Sequence, residues 1–149
     1  MINLFSKGRK VNILIIIFWM LIMVFSTALS IIFIPLFQEY LSGTFMIISG
    51  IVLILLGGSL VFYTLQQKVE GKLKFFLILT GVSAAGFFFF AFLHNLFYGL
   101  GMITGEIVVL NYLLKILEVV FFLIAVIACP IGFLVGIIGS IANKVSRIK

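Results

Sequence analysis

Few residues in this chain can do chemistry, and those that can are close to one another in type and depth. The single histidine, His94, is followed directly by Asn95, and the acid Glu118 comes 24 residues later, with Lys115 three positions before it. Ser26, Thr27 and Ser30 supply hydroxyls earlier in the chain. A histidine beside a carboxylate can titrate near neutral pH. Ser30, His94, Asn95 and Glu118 are therefore the candidate polar site, able to hold a ligand, an ion or a partner helix. Each also has a plainer reading. Lys115 and Glu118 stand at ion-pair spacing on a helix, and a solvated pair of that kind stabilises little. The others can serve as interhelical hydrogen bonds, worth on average about 0.6 kcal/mol each within a membrane.

Catalytic machinery is not visible. One histidine and one cysteine, Cys129, cannot make a usual zinc site or a disulfide framework. Cys129 lies inside an apolar run, where a free cysteine behaves as a small hydrophobe. No metalloprotease, nucleophile-elbow or phosphate-loop motif is present, no apolar run holds two carboxylates, and no acid lies near the middle of any run. The residues favour a non-enzymatic protein with no cofactor and no metal.

The elements that must position these groups follow from composition. Of 149 residues, 64% are hydrophobic and 9% charged, against about 25% charged in soluble chains. A soluble domain of this size cannot hide that much apolar surface, so the apolar residues face an apolar solvent. The net charge of +6 does not point to nucleic acid, because the basic residues sit beside apolar runs and not across a polar domain.

About 20 apolar residues cross a bilayer as a helix. Four runs qualify, from about Val11 to Leu36, Phe45 to Leu65, Phe75 to Tyr98 and Ile116 to Ala142. Barrel strands would be half as long and would alternate apolar with polar. The expected fold is an all-α polytopic membrane protein, a single four-transmembrane-helix bundle over residues 1–149. Lys7, Arg9 and Lys10 before the first run resemble the start of a secretory signal. The uncharged stretch from Val11 to Phe37 is too long for one, so an uncleaved first span is expected.

Charge sets the orientation. Four crossings put Lys7, Arg9 and Lys10, then Lys68, Lys72 and Lys74, then Lys144, Arg147 and Lys149 on one side, leaving only Lys115 on the other. By the positive-inside rule both termini are cytoplasmic. The basic groups also touch anionic headgroups, at about 1 kcal/mol each near the surface. Counting about 1.5 Å per residue, His94 lies roughly 30 Å from Lys74 and Glu118 nearly 40 Å from Lys144, both at the outer interface. Thr80, Ser83, Ala84, Ala91, His94 and Asn95 share a helical face. Thr104 to Lys115 reads as an interfacial turn or helix leading into the fourth span, or else as part of a long fourth helix that projects beyond the bilayer.

Ala128, Gly132, Gly136 and Ser140 recur every four residues in the fourth span. Small residues let helix backbones approach closely, so this is a helix-packing face, used either inside the bundle or between two copies. Pro130 within it cannot donate to the Val126 carbonyl, and a kink is expected there. The partners implied are the lipid bilayer and a homodimer mate or another membrane protein, with no nucleic acid. Short loops, small size and the lack of a targeting extension point to a prokaryotic plasma membrane. The function expected is a non-enzymatic accessory or interaction subunit packing through glycine-rich faces. The alternative is a small oligomeric transporter or channel component with an outer-leaflet polar site.

Overall fold

A computed structural model of the chain describes the backbone of residues 2–33, 43–103 and 108–146, and the side chains of residues 13–31, 44–103 and 108–143. Every described element is helical: α1 is Ile2–Phe33, α2 Gly43–Gln66 and α3 Gly71–Ile103. α4 (Val108–Leu123) runs through a π-helical stretch, Ile124–Ala128, into α5 (Cys129–Ser146). With α4 to α5 taken as one, four helices are long and apolar enough to cross a membrane. Each contains the run expected from composition, except that Ile34 to Leu36 lie outside the described residues. Of the ambiguous segment, 104–107 lies outside them too, and Val108 to Lys115 is continuous with the fourth span. Lys72 and Lys74, which precede the expected third run, stand in the first turn of α3.

α3 is the central helix. It packs against α2 on one flank and against α4, the π stretch and α5 on the other, while α1 rests on α2 and touches α3 lightly. Lipid is as apolar as leucine, so helices associate through close van der Waals contact and not through exclusion from water. Small residues on two faces of α3 provide that contact. A Cβ added to Gly57 of α2 would lie 2.5 Å from the Gly81 carbonyl oxygen of α3, and one added to Gly81 would lie 2.7 Å from the Gly57 carbonyl oxygen. Only glycine fits at either position.

The middle of the bundle is filled by rings. Phe25 of α1 is fully buried; its ring meets Phe87 of α3 edge-on at 5.4 Å and Phe133 of α5 at 3.9 Å. Leu21, Leu53 and Leu60 are also fully enclosed. Buried hydroxyls turn back on their own helices: Thr64 donates to the Leu60 carbonyl (2.7 Å) and Thr80 to that of Phe76 (2.8 Å). Neither needs a partner helix or water to be satisfied.

The helices differ in length. α2, with 24 residues, is about 36 Å long, close to the hydrocarbon thickness. α3 has 33 residues and starts after a four-residue connection from α2, so it overtops α2 at the other end by roughly 14 Å. Its last turns pair with α4, and the two make a hairpin that stands clear of α1 and α2.

Pro130 explains the π stretch. Lacking an N–H, it cannot make the helical bond to Val126, and the Cys129 N–H bonds back five residues to the Ile124 carbonyl. The turn before Pro130 is widened and absorbs one residue. Leu114 and Ser140 are 26 positions apart, about 7.2 turns of regular helix; with one residue absorbed the separation falls to about 6.9, nearly a whole number. Leu114, Ala125, Cys129, Phe133 and Ser140 thereby fall on one buried line.

Candidate functional site

Of the four candidate polar residues, the structure brings two together. His94, late in α3, points its Nδ1 at the backbone carbonyl oxygen of Glu118 in α4, at 3.2 Å. A carbonyl can only accept, so Nδ1 carries the proton, and in the neutral ring Nε2 keeps the lone pair. The ring also lies 5.2 Å from that of Phe122, one turn further along α4. The contact is thus with the Glu118 main chain and not its carboxylate. Among the described residues Lys115 and Glu118 form no ion pair.

The other two stand apart. Asn95 is exposed and its amide donates to the Ala91 carbonyl at 2.8 Å. Ser30 is exposed on α1 and donates to the Ser26 carbonyl at 2.9 Å; Thr27 donates likewise to Met23 (2.8 Å). Among the described residues no Cα of α1 comes within 8 Å of a Cα of α4, so the structure does not bring Ser30 beside Glu118.

The helix-packing face is also divided. A Cβ on Gly132 would lie 2.5 Å from Ser83 Oγ, and one on Gly136 would meet Thr80 Oγ1 and lie 2.8 Å from the Thr80 backbone nitrogen. Both glycines therefore seat α5 on α3. Ser140 is buried, with its hydroxyl lacking a partner among the described residues. Ala128, expected on the same face, is exposed. The four-residue spacing drifts by about 40° per step, and Ala128 ends the widened turn.

Two features were missed at the level of sequence. Phe121 of α4 stacks between Phe90 (5.9 Å) and Phe97 (5.3 Å) of α3. The side-chain oxygen of Asn111 is enclosed near Gly101 without a hydrogen-bond partner among the described residues. An asparagine in an apolar run was the available signal for the second; nothing distinguishes Phe121 from its neighbours in the sequence. A small crevice lined by Ala28, Ile31, Phe45, Met46, Ser49, Phe87 and Phe88 has room for about one water, about 10 Å³. Among the described residues no three potential ligands gather to hold a metal.

Chemically, then, the chain offers one histidine nitrogen late in α3 beside α4, a packed aromatic centre and no assembled catalytic group among the described residues. Comparisons with family models, curated proteins and solved structures returned no match.

Proposed function

We propose that this chain is a non-enzymatic subunit of a membrane assembly, embedded in a prokaryotic plasma membrane with both termini cytoplasmic, and that its partner is another membrane protein or a second copy. The observation that carries this reading is the α3–α4 hairpin. The described residues at its open end are apolar and highly exposed: Met102, Ile103, Val108, Val109 and Tyr112 are each 70% exposed or more. Helix surface with no packing partner among the described residues is open to close contact with a helix of another subunit. The glycine faces expected to bind partners are engaged within the bundle, so the hairpin takes over that role here. The cytoplasmic placement of the termini rests on the nine-to-one basic bias.

The Phe25, Phe87 and Phe133 cluster supports the same reading, because it fills the place where a path through one chain would run. The transporter alternative retains one supporting observation, the approach of His94 to Glu118. A photo-crosslinker at Val109, compared with one at Leu55 on α2, tests the reading in native membranes. A discrete protein adduct is expected from position 109 and not from 55. If position 109 captures only lipid and the purified chain stays monomeric in native gels, the proposal fails. Flux in liposomes that His94→Ala abolishes would turn the choice to transport.

A further inference from the structure

The two parts of the fourth span meet α3 through contacts that respond differently to a slide along the helix axis. α5 is held at its glycines, where an added Cβ on Gly132 or Gly136 runs into Ser83 or Thr80. α4 is held by groups that recur from one residue to the next. Phe121 fills the stack between Phe90 and Phe97, and the residue after it is also a phenylalanine. His94 Nδ1 meets the Glu118 carbonyl, a main-chain group that Val119 carries as well.

Between these parts the turn at Ile124–Ala128 holds one surplus residue. If that turn closed to regular helix with α5 seated as it is, α4 would move outward by about 1.5 Å and rotate by about 100°. Each residue of α4 would take the place of the one before it. Phe122 would enter the ring stack, the Val119 carbonyl would meet His94, and Tyr112 would stand where Asn111 stands now. Both named contacts of α4 thus survive the slide.

Two residues oppose it. Lys115 and Ser140 are 25 positions apart, about 6.9 turns of regular helix, so closure carries the lysine onto the buried line. It would replace Leu114, which is 8% exposed, and lysine is almost never buried without a partner. Pro130 resists as well, because regular helix brings its ring against the Val126 carbonyl.

We propose that α4 has two registers on α3, one residue apart, exchanged by closing and reopening the widened turn, and that Lys115 and Pro130 hold it in the present one. The device belongs to this chain alone and stands whether or not the hairpin binds a partner.

Cysteine pairs in the purified full chain test it. An added Cβ at Gly101 lies 3.6 Å from Asn111 Oδ1, so Gly101→Cys with Asn111→Cys reports the present register. Gly101→Cys with Tyr112→Cys reports the second. The native Cys129 is buried and about 27 Å along the span from position 111, so it joins neither pair. Disulfide yields under mild oxidation are read by mass. The first pair is expected to dominate in the parent. Lys115→Leu should raise the second relative to the first several-fold, and Pro130→Ala should make the second the larger. Adding Phe122→Ala to Lys115→Leu should cancel most of the gain, because the second register then has no ring for the stack. An unchanged ratio in Lys115→Leu overturns the proposal, as does a gain that Phe122→Ala leaves intact. A folded Pro130→Ala chain that still favours the first pair overturns it too, and Lys115→Leu decides alone if Pro130→Ala does not fold.

Discussion

Along the long helix pair, the half nearer the chain's C-terminus, called inner here, and the half nearer the end of α3, called outer, are held together by opposite means. In the inner half, α5 meets α3 through missing side chains: Gly132 faces Ser83, and Gly136 faces Thr80 so closely that an added carbon has no room. In the outer half, α4 meets α3 through large flat ones, with Phe121 stacked between Phe90 and Phe97 and His94 reaching a main-chain carbonyl. The first kind of contact is specific and unforgiving, because backbone lies against backbone and cannot retreat. The second has looser geometry, since rings slide and tilt over a range of separations. A membrane bundle can therefore be locked at one end and adaptable at the other, and the adaptable end is the one whose described apolar residues are most exposed.

This contrast can be broken by mutation. Gly136→Ile should have the largest effect, destabilising the bundle by about 3 kcal/mol through forced separation of α3 and α5. Reversible unfolding in mixed micelles measures it, and a change below that of any outer-half variant would refute the ordering. Phe121→Ala should cost about 1–2 kcal/mol, the loss of two ring contacts, and should leave the inner half folded when probed by cysteine accessibility at Cys129. His94→Ala should cost least, about 0.6 kcal/mol for one interhelical hydrogen bond. A much larger loss would mean that the histidine organises more than the Glu118 carbonyl it touches.

The spans were legible because hydropathy and length are properties of contiguous residues, and a run such as Phe45 to Leu65 has no other stable place. The pairing of His94 with Glu118 was half legible. Depth counted from Lys74 and Lys144 put both toward one end, but spacing cannot tell a carboxylate contact from a carbonyl contact. Ser30 entered the set by depth alone. Depth does not tell which helices are neighbours: among the described residues α1 packs mainly on α2 and makes no close backbone approach to α4, and that order is decided by the small faces of α3. Ala128 shows the limit of periodicity itself. A stripe projected at constant pitch fails once Pro130 shifts the pitch, although the proline that caused the shift was in plain view.

The widened turn before Pro130 also bears on how the length of this chain can change. Along most of α4 and α5, losing one residue would swing everything beyond it by about 100° and turn the glycines away from α3. Losing Pro130 itself removes both the residue without an N–H and the surplus position it created. The two halves would then join as ordinary helix with their present faces still aligned. The fourth span thus contains a place where a deletion is silent to its neighbours.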